Sequence, residues 1–428
     1  SPIAFGNVQV RYVAIEADPQ PGIGNWGGTE SGKAVFGLSA VRFLAGRGLY
    51  ALEAPEWSGL FRRHDGWTGA DAAYSLPLTG RGTLRGDGTP RFLFSFSDTM
   101  VGSVDPATGR RDPHSYMISS SHAVLEGGRP DPDRIRFVWG KDGACVREPA
   151  FVPRHHGDGS YYWFQGGIAV GDRVHLLALV VRSNPEGREG FRFKVDNVDV
   201  VSLPLGTSGP DFSRGEMHPT PFRDSEAALR QDIFFNCAVL DHTENGASRS
   251  PDGYVYIYGT LRDGFGRGLV AARVRPEAFL SFDSWRFFDG AEWGTDPARC
   301  AILAGGVSWE LSVQEMDFGI HAGRYLLVYQ EFGVGRYIVC QAGDTPMGPF
   351  DKPIRVCHSE VEDRGMAIYT YNAKGHAALS GPGELLVSSN VNTRSEWANM
   401  ADGHIYRPRW LRLLDTTAPP PPPPDDPG

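Results

Sequence analysis

The sequence has no run of about twenty apolar residues, so no stretch would cross a membrane as a helix. Sustained three-to-four-residue apolar spacing is also missing, which argues against a helical body. Blocks of like charge are absent: 42 Lys and Arg stand against 51 Asp and Glu, spread along the chain for a formal charge of −9. Nothing in that pattern recruits a phosphate backbone, and nucleic acid is not an expected partner. Cysteine is scarce, with five in 428 residues (Cys145, Cys237, Cys300, Cys340 and Cys357) and neither a CxxC pair nor a Cys-His spacing suited to zinc. These are expected to be buried thiols. Cys340 and Cys357 could meet across neighbouring strands, but a large core and an odd count make disulfides dispensable. No nucleophile elbow is present, and no Gly-rich loop opens a helix. The GFGRG at 264–268 reads as a β-turn, which sets nucleotide chemistry aside. The chain opens on Ser, and the expectation is a secreted or cell-surface protein with its targeting peptide removed.

What is abundant points one way. Gly (54) and Pro (32) punctuate short aromatic and β-branched runs, and aromatics make up 11% of the chain. That is the texture of an all-β protein. A unit then recurs: YYWFQGGIAV with RVHLLALVV, IFFNCAVLD with YVYIYGTL, VSWELSVQEMD with RYLLVYQEF, and AIYTYNAKGHAAL with ELLVSSNVNT, each followed by further strands. With an opening hairpin from Trp67 this makes five units of roughly blade size, and a five-bladed β-propeller is the expected fold. The last strand, YRPRWLRLL, would complete a blade with N-terminal material. The expected organisation is a small β-rich N-terminal lead-in over 1–55, the propeller over 56–415, and a Pro-rich tail, TTAPPPPPPDDPG, over 416–428. A two-sheet sandwich is the rival, though it would leave many long edges.

The stretch from Trp67 to Gly102 carries the first candidates for chemistry. WTGADAAYSLPL holds Asp71, and RFLFSFSDTMVG holds Asp98. If the two runs form an antiparallel hairpin across the RGTLRGDG turn, both acids share one rim. Asp98 before Thr also suits a turn cap. Asp71, alone among Ala, Gly and Leu, would be costly to bury without a partner or a task.

In a propeller the innermost strands start at one face around the axis, so distant residues converge there. The odd polar positions are Asp71 in the first unit, Trp163 and Gln165 in the second, Asn236 in the third, Glu310 in the fourth, and Asn372, Lys374 and His376 in the fifth. Strand ends add Asp98, Glu331, Asn390 and Asn392, while Trp67, Trp309 and Tyr371 supply aromatic faces. Carboxylates and amides bond sugar hydroxyls, aromatic rings stack on a pyranose or furanose face, and glycosidic cleavage needs two carboxyl groups across one bond. Asp71 and Glu310, on units that are not adjacent, are the expected working pair, with Asp98 as a third catalytic acid. Trp67, Trp163, Gln165, Asn236, Trp309, Tyr371, Asn372, His376 and Asn390 are the expected substrate-binding residues. Lys374 and Arg407 are expected to pair with the acids and lower their pKa. Glu315, five residues from Glu310, points to the other face.

The motifs WTGADAAYS, FSDTMVG, YVYIYGTL with GLVAARV, WELSV, TPMGPF, YNAKGHAALS with ELLVSSNVN, and IYRPRW occur in an order that resembles bacterial five-bladed propeller proteins labelled as domains of unknown function. That group is related to the furanosidase propellers (arabinanases, arabinofuranosidases, fructan hydrolases) and is similar to endo-D-arabinanases; the likeness covers roughly residues 55–415. The resemblance implies a glycoside hydrolase acting on a furanose-containing polysaccharide, with Asp71 as the first-blade base or nucleophile and Glu310 as the later-blade acid. The family-43 layout also places a pKa-tuning Asp on an intermediate blade, where this chain has Gln165 and Asn236.

The expectation is therefore a monomeric glycosidase that cleaves an arabinan-like poly- or oligosaccharide and requires no cofactor, with room for a calcium ion at the axis. The alternative is a carbohydrate-binding propeller without catalysis, in which the same groups grip glycan.

Overall fold

The computed structural model describes residues 48–78, 89–140, 148–152, 159–187, 192–264, 266–358 and 368–415. The expected N-terminal lead-in up to residue 47, the RGTLRGDG turn up to residue 88, Cys145 and the Pro-rich tail lie outside them. The described chain is all-β, with only short helical turns between strands.

Five sheets of four or more strands follow one another along the chain. Sheet one is Tyr74–Pro77, Arg91–Phe96, Ser121–Glu126 and Ile135–Val138. Sheet two starts at Ser160–Val170, pairs it with Arg173–Ser183, and continues to Phe193–Gly206 and Glu216–Pro219. Sheet three starts at Phe234–His242, followed by Tyr254–Asp263 and Gly266–Val274. Sheet four is Leu311–Glu315, Tyr325–Gln330, Tyr337–Gly343 and Ile354–His358. Sheet five runs from Ile368–Gly375 through Glu384–Thr393 to Pro408–Asp415, and its last strand takes Leu49–Glu53 as an antiparallel partner. The last residues of the expected lead-in are thus an edge strand of the main body. Cys340 and Cys357 do sit on paired strands, yet no disulfide joins them, and Cys237, Cys300 and Cys340 are free thiols.

Apolar side chains alternate along these strands and fill the spaces between successive sheets. Leu76, Leu93 and Val124 of sheet one pack on Tyr162, Leu176 and Leu203 of sheet two. Leu179 and Val200 meet Phe234, Ile257 and Val270 of sheet three; Tyr258 and Leu269 meet Leu311 and Leu327 of sheet four; Val328 and Ile338 meet Leu385 and Leu413 of sheet five. A further aromatic cluster joins sheet five to sheet one, with Leu386 and Trp410 against Phe92, Phe94 and Leu125, and Trp57, Phe61 and Trp67 among them. The first strands of consecutive sheets lie side by side, from Tyr74–Pro77 through to Ile368–Gly375. They line a cavity of about 180 Å³ to which all five contribute, including Ser75, Gly167, Val239, Gln314 and His376.

The Trp67–Gly102 stretch departs from a single hairpin. Asp65–Ala70 pairs with Thr99–Ser103 in a separate three-stranded sheet, whereas Tyr74–Pro77 pairs with Arg91–Phe96 in sheet one. Each run therefore changes sheet, and the changeover falls at Asp71–Ala73 on one side and Ser97–Asp98 on the other.

Candidate active site

That changeover puts the two acids together. The Asp71 N–H donates to the Asp98 carbonyl at 3.3 Å, and the Ser97 N–H donates to the Asp71 carbonyl at 3.3 Å. Turning from one sheet into the next forces Ala72 and Ala73 into the left-handed region, with φ of 68° and 54°. Both are fully buried. Only seven non-glycine residues adopt positive φ among the described residues, and Asn372 (60°) and Tyr406 (45°), both beside Asp71 or its neighbours, are two more of them. Each such residue costs of order 1–3 kcal/mol, and such strain gathers where a site over-determines its backbone. Gly69 is needed here for a different reason: a Cβ would lie 2.3 Å from the Tyr406 carbonyl oxygen.

Asp71 and Asp98 are each partly accessible. Tyr371 donates its hydroxyl proton to Asp71 Oδ2 at 2.8 Å. Oδ1 is buried without a hydrogen-bond partner, and the Tyr406 hydroxyl faces the carboxylate and favours its charged form. Burial nonetheless pushes Asp71 well above the ordinary carboxylate range, and the charges of Asp98 and Glu310 push the same way. Asp98 accepts from the Trp163 indole N–H at 2.8 Å. Burial raises its pKa to about 6 against that hydrogen bond. Tyr161, beside it, is pushed up to about 12 by burial and then by the Asp98 charge.

Glu310 lies just ahead of the first strand of sheet four, 8% exposed, and meets Lys374 Nζ at 2.6 Å. Lys374 is buried as well, donates to the carbonyls of Ala72 and of Asn372 (2.9 Å for the latter), and lies over the Tyr74 ring. Burial raises the Glu310 pKa while Lys374 and Gln165 pull it back. Beneath the acids, the Tyr74 hydroxyl donates to Gln165 Oε1 at 3.1 Å, and Asn236 Nδ2 approaches the same oxygen at 3.5 Å. Tyr74 and Lys374 of this group also line the cavity formed by the later residues of the first strands.

Of the residues singled out from sequence, the structure brings together Asp71, Asp98, Glu310, Trp163, Gln165, Asn236, Tyr371 and Asn372. Trp309 is 37% exposed, over Phe234 and the Arg267 guanidinium, and is free to offer a face. Trp67 is corrected: it is 1% exposed, packed among Phe61, Phe96 and Phe137, and donates its N–H to Ser121 Oγ, so no sugar can stack on it. His376 is corrected too. Its two ring nitrogens bond Ser75 Oγ and Ser388 Oγ, both at 2.8 Å, and the ring stacks on Trp410. Asn390 is fully buried and donates to the Ala70 carbonyl, which holds the approach to Asp71 rather than a substrate. Arg407 pairs with none of the acids; it lies near Arg409, Arg62 and Arg111. Glu331 is held by Arg355, and Glu315 accepts the Arg249 N–H. Sequence reasoning missed Tyr406 and Tyr161, because a tyrosine beside a strand end carries no sign of the carboxylate it will face.

Both His376 ring nitrogens are engaged, and the described residues contain no group of three or more His, Cys, Asp or Glu placed to hold a metal ion.

Fold and site together define an all-β chain of successive sheets in which the first strands and the turns beside them bring carboxyl groups, amides and aromatic rings together. The chain belongs to the family described as a domain of unknown function, DUF5005, whose pattern matches residues 55–416. No curated protein sequence matches it. Among solved structures it is similar to a Bacteroides ovatus protein provisionally described as a hydrolase, at 15% identity and a TM-score of 0.63 over 85% of this chain and 90% of that one. That likeness is one of fold. Weaker similarities include a Xanthomonas citri GH43_1 enzyme complexed with xylotriose (15% identity, TM-score 0.38, 85% and 93% covered) and a Podospora anserina alpha-L-arabinofuranosidase complexed with cellotriose (12%, 0.39, 82% and 97%).

Proposed function

We propose that this protein is an exported five-bladed β-propeller glycoside hydrolase that cleaves a furanose-containing, arabinan-like polysaccharide. The core clusters between every pair of successive sheets, and between the fifth and the first, support the propeller reading. One observation carries the chemistry: three carboxyl groups from distant parts of the chain converge, so that Asp98 and Glu310 both act on the charge of Asp71. Such a group of acids with separated proton affinities is what acid–base cleavage of a glycosidic bond requires.

In this reading Asp71, kept protonated by burial and by its acidic neighbours, gives its proton to the leaving oxygen. Asp98, ionised above about pH 6, acts as base or nucleophile. Glu310, bound to Lys374 below them, sets the charge around Asp71 rather than touching the bond. The division of labour thus moves from the Asp71–Glu310 pair to Asp71 and Asp98. Half-buried Trp163, already donating to Asp98, and Tyr371, donating to Asp71, flank the reacting centre.

The test is hydrolysis of a panel of arabinans and other furanose polymers by wild type, Asp71→Asn, Asp98→Asn and Glu310→Gln. The expected loss is about 10³-fold or more for either Asp variant, with a smaller loss for Glu310→Gln. Full activity in Asp71→Asn would end the proposal, and glycan binding without product from the wild type would favour a binding propeller.

A further inference from the structure

The three-stranded side sheet and the turn at 402–407 enclose a group of cations that the acids do not use. Arg111 is 5% exposed and Arg407 is 3% exposed. Arg111 donates to Thr68 Oγ1, but its Nε and Nη2 are buried without a hydrogen-bond partner. Among the described residues Arg407 makes one long contact, from Nη2 to His404 Nδ1 at 3.5 Å, and its Nε is also buried and unpartnered. Neither guanidinium has a carboxylate within ion-pair distance among the described residues. The charge of Asp402 acts on both from beyond ion-pair distance, and its Oδ1 accepts the His404 N–H.

A guanidinium does not shed its proton under ordinary conditions, so burial of two such groups leaves a positive charge that something must offset. Half-buried Arg409 and exposed Arg62 add to it: burial, then Arg409 and Arg62, bring Arg407 down to about 9, and burial brings Arg111 to about 10. Arg62 and His404 are exposed, which gives the group an outlet to solvent. The forked donors left open, three N–H-bearing atoms on two rigid planes, match the oxygens of a carboxylate or a tetrahedral oxyanion.

We infer that Arg111 and Arg407, with Arg409 and Arg62 at the mouth, form an oxyanion-binding site beside the candidate active site. Arg111 braces Thr68, on the strand that ends one residue before Asp71, and Arg407 follows Tyr406, whose hydroxyl faces Asp71. An anion held here would fasten the two segments that frame Asp71. The anion comes either as free phosphate or sulfate or as an acidic substituent on a glycan. Binding to this site does not depend on the hydrolase reading.

The experiment is thermal unfolding of the whole chain at constant ionic strength in chloride, inorganic phosphate, sulfate, a neutral arabino-oligosaccharide and an oligogalacturonide. Wild type is expected to gain about 2 °C or more in one of the anionic arms over chloride, by mass action on the folded state. Arg407→Gln and Arg111→Gln, each compared with its own chloride baseline, should lose most of that gain, so a lower baseline in a variant does not confuse the result. A gain with phosphate or sulfate identifies a free oxyanion as sufficient; a gain with the oligogalacturonide alone assigns the site to acidic sugar. An equal gain in wild type and both variants, or none in any anionic arm, overturns the inference.

Discussion

Lys374 Nζ and Glu310 Oε2 meet at 2.6 Å in a position where both side chains are almost wholly buried. The pair comes from sheets four and five, and Lys374 is also tied to the carbonyls of Ala72 and Asn372, whose left-handed backbone frames Asp71. One cation therefore holds together a charge, a strained turn and the candidate proton donor.

Removing that cation should be expensive. Lys374→Met leaves Glu310 buried and unpaired, and the expected destabilisation is about 3–5 kcal/mol. The double variant Lys374→Met, Glu310→Gln should recover a large part of it, because the stranded charge goes too. Urea unfolding of the four proteins in the cycle measures both.

Tyr371→Phe removes the hydroxyl that donates to Asp71 Oδ2. That hydrogen bond favours the charged carboxylate, so its loss raises the Asp71 pKa further. If Asp71 is the proton donor, the alkaline limb of the rate profile moves to higher pH, by roughly half to one unit. A pH–rate profile that keeps its alkaline limb in place while the rate falls would remove Asp71 from that role.

Asp98 has a folded pKa of about 6, above the ordinary carboxylate value. Between those values the folded protein holds more protons than the unfolded chain, so Asp98 lowers stability as pH rises through that window and its full penalty persists above it. Asp98→Asn keeps an acceptor for the Trp163 indole and drops the charge. It should stabilise the fold at pH 8 by roughly 1–2 kcal/mol, after allowance for the partial exposure of Asp98, and have little effect at pH 4. Denaturant midpoints at the two pH values are the check.

Two tryptophans should separate cleanly. Trp67→Ala empties a site among Phe61, Phe96 and Phe137 and should cost about 3–5 kcal/mol. Trp309→Ala, at a half-open surface, should change stability by less than about 1 kcal/mol and weaken oligosaccharide affinity by roughly 1–2 kcal/mol. Calorimetric unfolding and titration with arabino-oligosaccharides distinguish the two outcomes.

The strand pattern was legible because it is local. YYWFQGGIAV, IFFNCAVLD and ELLVSSNVNT are short apolar or β-branched runs bounded by Gly, Asp or Asn turns, and each is a strand paired with the neighbour its sequence indicates. Asp71 stood out for a similar reason, since a lone acid in an apolar run carries its own energetic warning. The break of the first hairpin at Asp71 was not legible: Ala72 and Ala73 have no preference for positive φ, and only the demands of two different sheets put them there.

By itself, the order of residues determined the β character, the succession of similar units and the acids worth watching, because periodicity and turn chemistry act over a few residues. Which of those side chains would face each other was decided only by the packing of sheet on sheet. Trp67 went to the core, His376 between two serines, Lys374 to Glu310 and Arg407 to a cluster of its own charge, since each depends on groups from other strands and sheets that no local pattern records.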